Sequence, residues 1–138
     1  QPTAEVRALQ GAGVRVTGAV ADVRPWLQHA AVAVAPMRIA RGVQNKILEA
    51  MAMGRPLVAA RDCVQALEAT PGVHLAAASH ASDYLREVSA LLADRAGAER
   101  LGVAARGHVQ SHHAWPQRLA PLHECLERCL ASRAEVAS

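Results

Sequence analysis

Three basic residues and one acidic residue stand between two apolar segments near the middle of the chain. The basic residues are Arg38, Arg41 and Lys46, and no acidic residue lies among them. Glu49 follows Lys46 within one helical turn. Positive side chains at the start of a helix suit phosphate groups, and the N–H groups and dipole of that helix add to the attraction. A carboxylate one turn further along suits the hydroxyl groups of a sugar. The pattern therefore predicts a nucleoside diphosphate site.

The residues between these charges complete the candidate site. A glycine at position 42 would let the backbone turn sharply or approach a ligand closely. Asn45 could contact the ligand or cap the helix, and the cap is the favoured interpretation. The ordinary alternative is that the charged side chains are only solvated surface residues. The candidate diphosphate-binding residues are Arg38, Arg41, Gly42, Gln44, Asn45 and Lys46, with Glu49 one turn beyond them.

The flanking sequence predicts the elements that position this site. Residues 31–35 and 57–60 are short, continuously apolar segments, typical of parallel strands covered on both faces. A helix is predicted between them, ended by Gly54 and Pro56. Its buried side is predicted to carry Val43, Ile47, Leu48 and Met51. Ligands of such strand–helix–strand units bind at the carboxyl ends of the strands, where residues 37–45 would lie.

The rest of the chain predicts further alternation of strands and helices. Strands are predicted at residues 14–17 and 73–77, and further helices at about residues 2–9, 23–30, 61–67, 79–94, 98–112 and 116–132. The last three helices carry apolar residues that are expected to be buried, namely Tyr84, Leu85, Val88, Leu91, Leu92, Leu101, Val103, Val109, Leu119, Leu122, Leu126 and Leu130. We therefore expect a single α/β domain over residues 1–138, with closing helices from about residue 98 to 132.

Composition and motifs argue against several classes of protein. The net charge is +3, but the arginines are scattered among acidic residues and no aromatic platform accompanies them, so no nucleic-acid partner is expected. Three cysteines, an odd number, fit a reducing cytoplasm better than a disulfide framework. No apolar segment approaches the roughly 20 residues that span a membrane. Walker, Gly-x-Ser-x-Gly and His-Glu-x-x-His motifs are missing, and no nucleophile is expected.

Two groups of residues near the C-terminus invite other interpretations. Cys125 and Cys129 stand four apart with His123 nearby, as in some metal sites, but no second ligand pair completes a tetrahedral site. Because both cysteines interleave with leucines, burial in the core is the favoured interpretation. His112 and His113 end a predicted helix, where the dipole favours imidazolium, and a structural role is expected.

Residues 14–60 resemble the C-terminal, donor-binding half of glycosyltransferases of the two-Rossmann-domain (GT-B) architecture, family 4, also called group 1. The resemblance rests on residues 16–20 (VTGAV), 22–24 (DVR), 35–36 (AP) and 48–56 (LEAMAMGRP). Residues 38–46 are most similar to the subgroup found beside exosortase and PEP-CTERM polysaccharide systems. The resemblance implies an α/β, Rossmann-like parallel sheet flanked by helices, whose first two strands would precede residue 1.

The resemblance also implies roles for individual residues. Family members share two glutamates eight positions apart, and Glu49 matches the second, which binds the donor ribose. The first falls at Arg41, so the sequence departs from the pattern where the transferred sugar is contacted. Lys46, Arg38 and the helix N–H groups would stabilise the diphosphate leaving group without a cofactor or required metal. The general base and acceptor site would lie in a separate N-terminal domain, so this part alone would be inactive.

Other functions and partners remain open from the sequence. A sugar-nucleotide epimerase of the same architecture would share the diphosphate site, and a non-catalytic interaction module would use the apolar helices for assembly. The strand at residues 31–35 would lack its inner neighbour, so we expect it to pair with a second copy or within a rearranged sheet. A nucleotide sugar is the expected ligand, the cytoplasm the expected compartment, and peripheral membrane association of the full-length protein is a further expectation.

Overall fold

The computed structural model describes residues 2–37 and 42–136, with side chains described except at residues 116–118 and 131–136. It confirms an α/β fold in which helices flank a parallel sheet. In the described part of the chain the sheet has three strands, β1 (Ala33–Ala35), β2 (Leu57–Ala60) and β3 (Ala76–Ala78), in the order β1-β2-β3. Both pairings are parallel, with Val34 opposite Val58 and Ala59 opposite Ala77.

The helices agree closely with the predicted segments. The described α-helices are α1 (Ala4–Ala8), α2 (Arg24–His29), α3 (Asn45–Ala52), α4 (Arg61–Val64), α5 (Ala81–Ala93), α6 (Arg95–His112) and α7 (Trp115–Val136). A 3₁₀ turn, Gln65–Leu67, continues α4. Thr3 caps α1 through its side chain, and Asp94 caps α6 in the same way.

The core lies where α3 packs on the sheet. All four residues of β2 are buried, as expected for a central parallel strand covered on both faces. Ile47 and Met51 of α3 are fully buried on one side of the sheet. On the other side, Tyr84, Val88 and Leu91 of α5 pack against Val58, Ala76 and Ala78. The small residues of β3 leave room for helices to approach the sheet closely.

The end of α3 has the geometry that its sequence predicts. Gly54 has a φ of +66°, which is the left-handed conformation that glycine adopts without strain. Its N–H donates to the carbonyl of Met51 at 2.9 Å, and the N–H of Arg55 donates to the carbonyl of Ala50 at 3.0 Å. These two bonds form a Schellman motif, which ends the helix and turns the chain into β2.

Two of the four predicted strands require correction. Residues 14–17 form no strand among the described residues, where Val14 makes only an isolated bridge with Gly11. A strand needs backbone hydrogen bonds from a neighbouring strand, and no described strand pairs with these residues; the N–H of Val16 instead donates to the side chain of Gln10. The strand predicted at residues 73–77 begins later, at Ala76, because the Thr70 carbonyl accepts hydrogen bonds from the N–H groups of Val73 and His74 and extends the preceding turn.

Several residues that were expected in the core are exposed. Leu85, Leu92 and Val103 are 72%, 59% and 69% exposed because α5 and α6 each turn only one side toward the rest of the domain. Val43 is 44% exposed because it precedes α3 instead of lying on its buried face.

The predicted burial of α7 was also wrong. Its leucines, Leu119, Leu122, Leu126 and Leu130, are between 46% and 67% exposed. Cys125 and Cys129 are exposed as well, so the expectation of core cysteines was wrong for both. The apolar spacing is present, but within the described residues no element packs over this face of the helix.

Candidate functional site

The N-terminus of α3 is the centre of the candidate site. Gln44 is the N-cap, with the extended backbone (φ −104°, ψ 110°) typical of that position. Its carbonyl accepts hydrogen bonds from the N–H groups of Ile47 at 2.9 Å and Leu48 at 3.2 Å. Its side chain makes no capping hydrogen bond to the helix, so the first-turn N–H groups are not covered by it. Asn45 is the first helical residue, and the prediction that it caps the helix was therefore wrong.

The glycine before this helix is required by the backbone conformation. Gly42 has a φ of +65°, a region that side chains with a Cβ rarely adopt. A Cβ added at this position would meet no described atom within 4 Å. The glycine therefore allows a sharp turn into α3, and none of the described residues crowds it.

Lys46 and Glu49 lie three residues apart on α3. Both are exposed, and residues three apart share one side of a helix. The charge of Lys46 is the weakest of three influences on the pKa of Cys63 in α4. Burial raises the pKa of the Cys63 thiol, and Asp62 adds to the rise, whereas the positive charge of Lys46 opposes it. α4 directly follows the carboxyl end of β2, and since β1 and β2 are parallel, the start of α3 lies at the same edge of the sheet.

The carboxyl ends of the other strands are also defined. Ala35 ends β1, and its carbonyl accepts a long hydrogen bond of 3.4 Å from the Tyr84 hydroxyl of α5. β3 ends at Ala78, and the N–H groups of Ser79 and His80 each donate to Asp83 at 3.0 Å. These bonds lower the pKa of the Asp83 carboxyl to about 2. The start of α5 is thereby fixed against the end of β3.

One basic residue at this edge was missed by the sequence analysis. Arg61 is the first residue of α4, directly after β2, and its side chain is exposed. The available signal was its position, since a charged residue immediately after a buried strand lies at the ligand-binding end of a parallel sheet. Arg61 thus joins Lys46 at the carboxyl end of β2.

Other predicted site features fall outside the described structure or find no support in it. Arg38 and Arg41 lie outside the described residues. Over residues 2–37 and 42–136, no group of three His, Cys, Asp or Glu residues could hold a metal ion. His123 instead forms an ion pair of 3.1 Å with Glu127 one turn along α7. In the same residues no helix is both long enough and apolar enough to cross a membrane.

The described residues suit binding better than covalent chemistry. Uncapped N–H groups and the Lys46 ammonium attract an anion, and Glu49 offers acceptors for hydroxyl groups. A family model described as glycosyl transferases group 1 matches residues 1–94, which include α1 to α5 and the whole sheet. No curated protein and no solved structure matches the chain significantly.

Proposed function

Because the chain belongs to the glycosyl transferases of group 1, we propose that the region around α3 binds the nucleoside diphosphate part of a sugar donor. The family assignment itself supports a glycosyltransferase-type function. The finer proposal depends on one observation: Lys46 and Glu49 are both exposed on α3, next to an N-terminus that the side chain of the N-cap residue Gln44 does not cap. This arrangement offers a cation and N–H donors for phosphate, with a carboxylate one turn away.

The proposed roles divide between the two ends of the bound nucleotide. Lys46 and the first N–H groups of α3 would bind the diphosphate, together with Arg38, Arg41, Gly42, Gln44 and Asn45. Glu49 would accept hydrogen bonds from the ribose hydroxyls. As the bond between sugar and diphosphate breaks, negative charge grows on the leaving phosphate, and positive groups already in place stabilise it. In this proposal no metal ion is required.

Substrate, pathway and compartment are proposed on the sequence alone. Residues 38–46 favour the exosortase and PEP-CTERM subgroup and hence transfer of a sugar in polysaccharide or glycoconjugate synthesis in the cytoplasm. As the family resemblance implies, the general base and the acceptor site would belong to a separate domain. The chain alone is then expected to bind nucleotide and to catalyse no transfer.

A calorimetric titration with UDP, GDP and ADP tests the proposal. We expect one of the three to bind, and Lys46→Ala to weaken it roughly tenfold or more, because a hydrogen-bonded charge pair is lost. Arg100→Ala on α6 is the matched control, since Arg100 is an exposed cation remote in sequence from α3, and it should leave binding unchanged.

The proposed role of Glu49 can be tested with nucleotides that lack the ribose hydroxyl groups. Glu49→Ala should weaken binding of the preferred nucleotide. The corresponding 2′,3′-dideoxynucleotide should bind to Glu49→Ala and to the wild type with equal affinity. Glu99→Gln on α6 serves as the control. If no nucleotide binds, or if binding is indifferent to Glu49→Ala, the proposed donor site fails and the interaction module, which the exposed leucines of α7 favour, replaces it. An epimerised product in an assay of the full-length protein would favour the epimerase instead.

A further inference from the structure

Four histidines from separate segments of the chain meet at the C-terminal end of α6. His108 and His112 lie on α6, His113 follows it, and His74 lies in the turn before β3. The His108 ring stacks between those of His74 and His112, with ring centroids 4.4 Å and 4.5 Å away. His113 lies beside the stack, its centroid 5.7 Å from that of His108. His108 is only 6% exposed, so the centre of the cluster is shielded from water.

Two of these rings are tied to a single backbone oxygen. The Leu67 carbonyl accepts hydrogen bonds from Nε2 of His108 at 2.8 Å and from Nε2 of His113 at 3.0 Å. A carbonyl oxygen has two lone pairs and can accept both bonds. Leu67 ends the 3₁₀ turn, whereas His113 lies between α6 and α7. The two bonds therefore hold the α6–α7 junction against the segment that leads to β3.

His74 accepts a hydrogen bond through its ring, whereas His108 and His113 donate one. The backbone N–H of Thr70 donates to Nδ1 of His74 at 3.0 Å, so this nitrogen must carry no proton. Protonation of Nδ1 would place two N–H groups against each other and remove the bond. It would also place a positive charge against the His108 ring. His74 is thus the ring of the cluster whose protonation breaks a contact, whereas His108 and His113 already donate and keep their bonds when charged.

The charged residues near the cluster do not reverse this conclusion. Glu68 follows Leu67, whose carbonyl holds the His108 and His113 rings. Arg106 precedes His108 on α6 and adds positive charge to that helix. Burial and the neighbouring His108 and His112 rings lower the pKa of His74. Protonation of His74 is therefore coupled to opening of the contact.

We propose that neutral His74 acts as a proton-sensitive latch, and that its protonation in acid frees the turn at residues 70–74 from the end of α6. The neutral ring accepts from Thr70 and stacks on His108, which in turn bonds to Leu67. The charged ring loses the first contact and repels any second charge in the stack. Since the open state binds the proton more readily, falling pH favours it. The sheet and α3 contain no histidine and stay closed.

The test combines NMR titration of the imidazoles with amide hydrogen exchange of the chain. We expect His74 to titrate below its ordinary value near 6.5. Between pH 7 and pH 5, the protection factor of the Thr70 amide should fall roughly tenfold, whereas residues 108–113, whose rings stay bonded to the Leu67 carbonyl, should keep theirs. Protection in α3 and β2 should stay unchanged. A uniform loss over the whole chain, or constant protection at Thr70, would overturn the proposal.

A pair of variants separates the latch from a general effect of histidine. In His74→Asn the side-chain oxygen takes the place of Nδ1 and accepts from Thr70 without titrating, so the pH response should disappear. His123→Asn removes an exposed histidine of α7 and should keep the response. An unchanged response in His74→Asn would contradict the proposal. If that variant does not fold, the wild-type titration still decides, because a His74 that titrates at or above 6.5 rules out the latch.

Discussion

Gly102 of α6 lies against the backbone carbonyl of Gly54, the residue that ends α3. A Cβ added at Gly102 would overlap that carbonyl oxygen and crowd its carbon, and both belong to the backbone. A Cβ added at Gly54 would lie 3.7 Å from the carbonyl oxygen of Gly102. α3 and α6 therefore meet at a point where the α6 residue has room for a hydrogen atom but not for a side chain. This crossing fixes α6 on the helix that carries Lys46 and Glu49.

Gly102→Ala should destabilise the domain by about 1–3 kcal/mol, because the added methyl group forces two backbones apart. Thermal unfolding followed by circular dichroism measures the effect. Gly107→Ala is the matched control on the same helix, since a Cβ there meets nothing within 4 Å. The control should stabilise the helix by roughly 0.5–1 kcal/mol through its higher helix propensity. Equal melting temperatures for the two variants would show that the crossing is not tight.

The Asp83 carboxylate should contribute stability that acid removes. Its pKa is lowered to about 2 in the folded chain by the N–H groups of His80 and Ser79, with Arg86 adding to the effect. Because the folded value lies below the ordinary value of 3.8, the contribution is complete above about pH 4 and is lost as the pH falls toward 2. The melting temperature should therefore fall over this window.

Asp83→Asn should melt lower than the wild type at pH 5 and approach it at pH 2, because the neutral amide accepts more weakly and does not titrate. Asp62→Asn on α4 is the control, an exposed aspartate in the first turn of another helix. The melting temperature of this control should change between pH 5 and pH 2 by the same amount as that of the wild type. A constant gap between Asp83→Asn and the wild type across the window would contradict the assignment.

Local patterns predicted α3 well because its signals are complete within a few residues. Ile47 and Met51 set the buried face, and Gly54 with Pro56 sets the end. The strand at residues 14–17 and the burial of α7 failed for a different reason. A strand needs a neighbour, and an apolar stripe such as Leu122, Leu126 and Leu130 needs a surface to cover it. The spacing of apolar residues specifies which face of a helix or strand is apolar, but it does not specify which element covers that face.

The same distinction applies to the candidate site and the histidine cluster. Lys46 and Glu49 share α3, so their relationship follows from helix geometry alone. Arg61 was missed although its position directly after β2 was a signal in the sequence. His74 and His108 are separated by a helix and a strand, and no local pattern joins them. What depended on long-range packing was not predictable from the sequence.

β1 is an edge strand within the described sheet, and self-association through it remains a prediction. Val34 is 46% exposed and lies in the middle of this short strand. Edge strands tend to pair with another chain, and a lysine at the edge opposes this pairing. Sedimentation velocity should show association of the wild type that rises with concentration, and Val34→Lys should be monomeric. Val103→Lys, at an exposed valine of α6, is the control and should associate like the wild type. A monomeric wild type would exclude the prediction.

The turn at Gly42 should matter for ligand binding through its backbone conformation. With φ at +65°, a side chain at this position meets backbone strain but no clash with a described residue. Gly42→Val should therefore distort the approach to α3 and weaken nucleotide binding, because a β-branched residue is most strained in this region. Gly42→Asn should retain most of the affinity, since asparagine tolerates the left-handed conformation. Calorimetric titration with the preferred nucleotide compares the two variants. Equal losses for valine and asparagine would mean that the side chain itself obstructs the ligand, and that the positive φ is not what the site requires.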